Sequence, residues 1–166
     1  MSQPIMPAHS ASVSPAQKAR QELSVDRVDT RYLQTLLGYN ARRAALTIID
    51  RFITGMAELG LRPVDFSVLS VIHHNPGITS RQLCATLAIQ PPNLVGLINR
   101  LQRRGLLARQ PHPHDGRAMG LLLTDEGLAM VRQAETTASV LEEKNAERLS
   151  QTERSQLIKL LQKIYL

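Results

Sequence analysis

Cysteine, aromatic residues and long apolar runs are scarce in this sequence of 166 residues. Its single cysteine, Cys84, excludes an internal disulfide and any metal site built from cysteines alone. Tryptophan is absent and aromatic residues make up 3% of the chain, which argues against single-strand binding by base stacking. No apolar run approaches the roughly 20 residues that a membrane-spanning helix needs. The first 30 residues lack the apolar segment of a secretory signal. We therefore expect a cytoplasmic protein with no membrane partner.

Positive charge is what the chain has in excess. Its net charge is +6, its isoelectric point is about 10.1, and its hydrophobic fraction of 43% is enough for a core. A basic balance of this kind favours a polyanionic partner. The sequence shows no nucleophile with a neighbouring base, no phosphate-binding glycine loop and no set of metal ligands. We therefore predict a binding protein rather than an enzyme, with no metal and no cofactor.

Helical periodicity starts only after residue 28, because residues 1–28 are rich in Ser, Pro, Ala and Gln and predict a flexible arm. One long helix is predicted over residues 31–59, with Gly60 as its C-terminal cap. Its apolar stripe consists of Leu33, Leu37, Ala41, Ala44, Ile48, Phe52 and Met56. A second helix is predicted over residues 63–74, ended by the turn at residues 75–77.

Two more helices are predicted in the middle of the chain. Thr79 and Gln82 have the spacing of a capping box, which starts a short helix. After a break, Pro91 and Pro92 fit the first turn of a helix that runs to Arg104. Its buried face consists of Leu94, Leu97, Ile98 and Leu101, and its outer face of Asn93, Gly96, Asn99, Arg100 and Arg103.

A hairpin follows, with apolar segments at residues 106–110 and 118–123 around the stiff turn Pro-His-Pro-His-Asp-Gly-Arg. Asp115 can bond its own turn and orient Arg117 through an ion pair. The pair then either stabilises the turn alone or holds an arginine toward a narrow minor groove, which attracts it electrostatically. His112 and His114 lie near the same backbone and suit phosphate contacts. The proline between the two histidines argues against a metal site there. The four-ligand set of a structural zinc site is also missing.

The C-terminal part reads as two helices. Thr124 caps a long helix that extends to about Glu147. Ser150 and Glu153 form another capping box, which opens a final helix. We expect that helix to bury Leu157, Leu161 and Ile164.

These elements predict a mainly α fold, a winged helix-turn-helix with a two-stranded wing hairpin. Such a fold suits double-stranded DNA, because a helix fits the major groove, where asparagine and arginine can read base edges. Residues 79–117 carry six arginines against one aspartate. Asn93 and Asn99 are alternatively solvated surface, and Arg103 also complements the helix dipole. The predicted DNA-binding residues are Thr79, Ser80, Arg81, Gln90, Pro92, Asn93, Gly96, Asn99, Arg100, Arg103, Arg109, His112, His114, Asp115 and Arg117.

The wing sequence resembles that of the MarR family of bacterial transcription regulators. The shared pattern is Asp115-Gly116-Arg117, five intervening residues, then Leu123-Thr124, followed by Gly127. The resemblance implies a homodimer, joined through both chain ends, that binds a near-palindromic operator. It also implies repression relieved by a small, often aromatic, acid. On this basis residues 29–60 and 125–166 form a helical dimerisation region, and residues 61–124 form the DNA-binding lobe.

An arginine pair interrupts the apolar pattern of the first helix. Arg42 and Arg43 either form surface or interface salt bridges or anchor the carboxylate or phosphate of an effector. We predict a small anionic effector, an aromatic acid or its thioester. The predicted effector-binding residues are Tyr39, Arg42, Arg43, Phe66 and His73. The alternative function is a winged-helix module that binds protein and senses no small molecule.

Overall fold

The computed structural model describes residues 28–112 and 115–166, and for residues 112 and 115–118 it describes the backbone alone. The predicted N-terminal arm lies almost entirely outside this range, so that prediction remains open. The described chain falls into a first unit that ends at Arg43 and a second unit, Ala44–Leu166.

The predicted first helix is interrupted, which corrects the expectation of one continuous helix. Helix α1 spans Arg31–Gln34 and helix α2 spans Leu37–Gly55. At the break, the Asn40 side-chain amide donates to the carbonyl oxygens of Gln34 and Leu36, at 2.8 Å each. The Leu36 carbonyl also accepts from the Asn40 backbone amide at 3.2 Å, so the added side-chain partner matters most for the Gln34 carbonyl at the end of α1. A short 3-10 turn, Ala57–Leu59, follows α2 and ends at Gly60 with φ of 58°.

The remaining elements lie in the second unit. They are α3 (Pro63–His74), β1 (Ile78–Thr79), α4 (Ser80–Leu87), α5 (Pro91–Arg103), β2 (Leu107–His112), β3 (Asp115–Leu123), α6 (Asp125–Asn145) and α7 (Gln151–Tyr165). This order of helices and hairpin confirms the predicted winged helix-turn-helix.

Local capping starts three of these helices as the sequence predicts. The Thr79 hydroxyl accepts from the Gln82 amide at 3.3 Å, and the Thr79 amide donates to the Gln82 side chain at 2.9 Å. Ser150 and Glu153 repeat this arrangement at α7, and the bonds from Ser150 lower the pKa of Glu153. Thr124 accepts from the Gly127 amide at 3.0 Å and starts α6.

The sheet contains three antiparallel strands in the order β1-β3-β2, one more than the hairpin predicted from sequence. Strand β1 pairs Ile78 with Leu121 and Thr79 with Gly120. A Cβ atom on Gly120 would lie 2.8 Å from the carbonyl oxygen of Gly77. Glycine at position 120 therefore lets the segment at Gly77 approach β3 closely enough for β1 to join the sheet.

One apolar core holds α3, α4, α5, the sheet and α6 together. It includes all four side chains predicted for the buried face of α5, each at most 5% exposed. The fully buried Met56 joins α2 to this core, and Val131 and Ala134 join α6. The exposed face of α5 thus lies opposite a face of the same helix that is packed into this core.

Helix α7 does not bury its apolar stripe within the chain, contrary to the sequence prediction. Leu157, Leu161 and Ile164 are 46%, 40% and 61% exposed. Among the described residues, the core cluster takes no side chain from α7. Near the other end, Leu33, Leu37 and Ile48 are exposed as well. No helix in the described part of the chain is long and apolar enough to cross a membrane.

Candidate nucleic-acid interface

Helix α5 exposes a polar stripe along its length. Pro92, Asn93, Gly96, Asn99 and Arg103 are all exposed and recur at three- and four-residue steps, so they share one face of the helix. This face lies opposite the buried leucines and isoleucine of the same helix. The structure thus brings five of the predicted DNA-binding residues onto one accessible surface.

Strand β2 adds a cation to this stripe. The Arg109 guanidinium donates from Nη2 to the Oδ1 atom of Asn99 at 3.1 Å. The bond joins the wing to α5 and restricts the orientation of the Asn99 amide, whose nitrogen remains a donor. An asparagine held in this way is suited to presenting its amide to a base edge.

Arg100 differs from its neighbours on α5. Its side chain is 35% exposed and forms an ion pair with Asp65 of α3, which is 2% exposed. Asp65 also accepts from the backbone amide of Arg62 at 3.2 Å. The sequence placed Arg100 on the outer face, yet this contact gives it a packing role between two helices. Its predicted contact with DNA remains a prediction.

The end of α5 is fastened by Arg104, whose guanidinium donates to the carbonyl oxygens of Gly60 and Leu59 at 2.9 and 3.0 Å. Gly105 follows with φ of 72°, a conformation that favours glycine. Arg104 therefore holds the end of α5 to the turn before α3, while the neighbouring Arg103 is exposed.

The first residues of α4 are also predicted from the sequence to bind DNA. Thr79 and Ser80 are half-buried at the start of α4, and Arg81 is exposed. The Thr79 hydroxyl is engaged with Gln82, so its first role is to cap the helix. At the start of α5, the exposed Gln90 lines a cavity of about 410 Å³ together with Arg62, Asn93 and Arg100.

The wing is described through its backbone near the tip. His112 ends β2 opposite Asp115 at the start of β3, with an irregularity between Pro111 and His112. Arg117 lies two residues into β3. The side chains of these residues, and all of His114, lie outside the described part, so the predicted Asp115–Arg117 pair stays a prediction.

A separate cavity of about 540 Å³ lies in the second unit. One of the predicted effector-binding residues, Phe66, lines it, and its ring centroid is 5.4 Å from that of Phe52. Three carboxylates and one guanidinium also line the cavity, those of Glu135, Glu142, Glu143 and Arg154. An acidic lining favours the uncharged aromatic part of a ligand over its carboxylate.

The other predicted effector residues lie on two helices. Tyr39 is half-buried on α2, and Arg42 and Arg43 are exposed on the same helix. His73 is half-buried in the last turn of α3, and its buried Nδ1 atom has no hydrogen-bond partner among the described residues.

Sequence reasoning assigned none of Asp65, Phe52 and Glu135 to a site, although it placed Phe52 on the apolar stripe of the first helix. Asp65 lies 35 residues before its arginine partner, and Glu135 lies 65 residues after Ser70, whose hydroxyl donates to it at 2.7 Å. One sequence signal could have indicated Asp65, because it lies between apolar residues at the start of α3. An acidic residue in an apolar pattern is expected to have a polar or charged partner.

An exposed polar helix, preceded by a capped helix and a turn and followed by a basic strand, defines a winged helix-turn-helix DNA-binding protein. A profile described as the MarR family matches residues 59–118. The chain is 28% identical over 130 residues, 78% of each protein, to a putative transcriptional regulatory protein for the hcr operon of Thauera aromatica.

Two solved structures of the transcriptional repressor CouR are similar at 34% identity. The complex with a 23-mer DNA duplex gives a TM-score of 0.79, covering 84% of this chain and 99% of that one. The complex with p-coumaroyl-CoA gives 0.75, covering 82% and 96%. The chain belongs to the MarR family and is a DNA-binding transcription regulator.

Proposed function

We propose that this protein is a repressor that binds a near-palindromic operator as a homodimer and leaves it when a small anionic effector binds. The observation that carries the proposal is the exposed face of α5 together with the Arg109–Asn99 bond. In this proposal α5 enters the major groove, and the wing, through Arg117, enters the adjacent minor groove.

The homodimer is supported by the distribution of exposed apolar side chains. Those that are large and exposed lie mainly before residue 54 and after residue 139, and among the described residues only Val64, Val95 and Met119 lie between. Exposed apolar faces of this extent are typical of interaction surfaces. We therefore keep residues 29–60 and 125–166 as the dimerisation region and residues 61–124 as the DNA-binding lobe.

The effector proposal rests on the cavity beside Phe52 and Phe66. Its volume of about 540 Å³ falls in the usual range for small-molecule sites, about 300–1,000 Å³. The ring pair suits an aromatic group, and the similarity to a repressor solved with p-coumaroyl-CoA supports an aromatic acid or its thioester. Arg42 and Arg43 remain the residues predicted from sequence to bind the anionic part.

The DNA-binding proposal is tested by selecting duplexes from a random pool with the full-length protein. We expect a motif repeated with two-fold symmetry, with half-sites about one helical turn apart. Fluorescence anisotropy at several salt concentrations then follows the Arg117→Ala variant. Its salt dependence should flatten by roughly one counterion per site. A pool that yields no symmetric motif, or an unchanged salt slope, contradicts the corresponding part of the proposal.

The effector proposal is tested by calorimetry with aromatic acids and their coenzyme A thioesters, p-coumaroyl-CoA included. We expect Phe66→Ala to weaken the binding of the effector while operator affinity stays near wild type. Arg42→Ala and Arg43→Ala should include one variant that binds operator and ignores the effector. Wild-type effector affinity in both arginine variants would assign the pair to the interface instead.

A further inference from the structure

Three potential metal ligands meet where the end of α3 packs against the middle of α6. They are His73, His74 and Glu135, and one ligand atom from each lies within 4.8 Å of the others. The His74 Nε2 atom is already 3.1 Å from the Glu135 Oε1 atom. The two ring centroids are 4.8 Å apart, so both imidazoles lie in the same small volume.

His73 has a buried nitrogen that no group in the described chain satisfies. Its Nδ1 atom makes no hydrogen bond there, and leaving a buried polar atom unsatisfied is unfavourable. Such an atom calls for an explanation in a packed structure. The His73 ring lies beside the imidazole of His74 and the carboxylate of Glu135, which are metal-binding groups.

We propose that His73, His74 and Glu135 bind a zinc ion. Two imidazoles and one carboxylate are a ligand set that Zn²⁺ accepts in tetrahedral geometry, with a fourth position for water. Bonds of about 2.0–2.2 Å place tetrahedral ligand atoms roughly 3.4 Å apart. The His74 Nε2 and Glu135 Oε1 atoms are 3.1 Å apart, close to this spacing. The His73 ligand atom lies within 4.8 Å of both, so the proposal requires it to move closer when the ion binds.

Ser70 supports the geometry from outside the ligand set. Its hydroxyl donates to the Glu135 Oε1 atom at 2.7 Å. Hydrogen bonds of this kind orient the carboxylates that ligate metals. Local sequence patterns do not indicate this arrangement, because the glutamate lies 61 residues after His74.

A zinc ion here would fasten α3, which leads into the helix-turn-helix, to α6, which follows the wing. Glu135 also lines the cavity of about 540 Å³, so the ion would offset part of its negative charge. The proposal adds a second class of ligand to the proposed function and does not depend on it, because metal binding needs neither operator nor organic effector.

The test uses the metal-free, full-length protein titrated with Co²⁺, whose visible absorbance reports tetrahedral coordination, followed by displacement with Zn²⁺. We expect one ion per chain. His74→Ala and Glu135→Gln should each weaken binding at least tenfold. Zn²⁺ should raise the melting temperature of the wild type and not that of the variants.

The matched control replaces the two histidines of the wing, His112→Asn with His114→Asn, which should bind Co²⁺ as the wild type does. The His74 side chain is 64% exposed, so its loss should leave the fold intact, as circular dichroism will show. Three results would overturn the proposal: no binding by the wild type at micromolar metal, unchanged binding in both site variants, or binding lost only in the wing variant.

Discussion

The bond between Arg109 and Asn99 makes a prediction about one pair of residues. If the arginine orients the amide for base reading, removing either side chain should lose part of the same interaction. Asn99→Ala should relax sequence choice and cost about 1–3 kcal/mol of operator binding. The double variant Asn99→Ala with Arg109→Ala should lose about 0.5–1 kcal/mol less binding free energy than the sum of the two single losses.

The control cycle pairs Arg109→Ala with Asn93→Ala. The bond that couples Arg109 to the amide of α5 is made to Asn99, so the losses from Asn93 and Arg109 should add to within about 0.5 kcal/mol. Anisotropy on the selected operator and on a scrambled duplex measures all the variants. Strict additivity in both cycles would show that Arg109 does not orient Asn99.

The ion pair of Asp65 with Arg100 makes a second prediction at this scale. Arg100→Leu leaves a carboxylate that is 2% exposed without its charge partner. We expect the free energy of unfolding to fall by about 3 kcal/mol, the lower end of the range for buried pairs. The lower end applies because the Arg100 side chain is 35% exposed to solvent. Urea denaturation at fixed protein concentration measures this loss.

Arg103→Leu is the matched control, on the same helix and with the same replacement. Arg103 is exposed, so its free energy of unfolding should change by no more than about 0.5 kcal/mol. Equal stability losses in the two variants would mean that the Asp65 contact contributes nothing specific. Operator affinity, measured in parallel, then tells whether Arg100 has a DNA contact in addition to its packing role.

Among the elements, α5 carries a prediction through Gly96. A Cβ atom at this position would meet nothing within 4 Å in the free chain. Gly96→Ala should therefore stabilise the fold by about 0.5–1 kcal/mol, since glycine weakens a helix interior. If the helix backbone approaches DNA closely at this point, the same methyl group should weaken operator binding by about tenfold, or 1.4 kcal/mol.

The two measurements must move in opposite directions for this interpretation to stand. A variant that is more stable and binds the operator as tightly as the wild type would show that Gly96 faces away from the DNA. Gly96→Ser is the companion variant, because a hydroxymethyl group occupies slightly more of the same space and should weaken binding at least as much.

Elements fixed by local chemistry were predictable from the sequence, and those fixed by neighbours were not. The caps at Thr79, Thr124 and Ser150 depend on residues three positions away, so their pattern is visible in the chain. Strand β1 depends on Gly120 allowing close approach across the sheet. At the break between α1 and α2, the Asn40 side chain bonds carbonyls four and six residues earlier, and capping or periodicity rules do not predict such a contact.

The candidate site divides in the same way. The exposed stripe of α5 follows from helical periodicity, and the structure presents it as the sequence predicts. Periodicity also placed Arg100 on this stripe. Its ion-pair partner, Asp65, lies 35 residues earlier, and helical periodicity carries no information about such distant contacts. Contacts between distant parts of the chain, such as Glu135 with Ser70 and His74, have no local signature.

At the scale of the whole molecule, the exposed apolar stripe of α7 predicts that the terminal helices of two chains pack together in a dimer. Leu157, Leu161 and Ile164 are 46%, 40% and 61% exposed, and covering them would remove apolar area from water. Deleting residues 150–166 should therefore abolish the dimer. Operator binding should be lost at the same time, because one subunit reaches one half-site of a two-fold repeat. Analytical ultracentrifugation and anisotropy measure the two losses.

A point variant separates loss of the interface from loss of the helix. Leu157→Asp places a charge on the apolar stripe of α7, whereas Gln156→Asp places the same charge one position away on the same helix. Both side chains are exposed in the single chain, so neither variant should unfold the winged unit. We expect Leu157→Asp to sediment as a monomer and Gln156→Asp to remain a dimer. Because burying an unpaired carboxylate in an apolar interface costs several kcal/mol, a Leu157→Asp protein that stays dimeric would place the interface elsewhere.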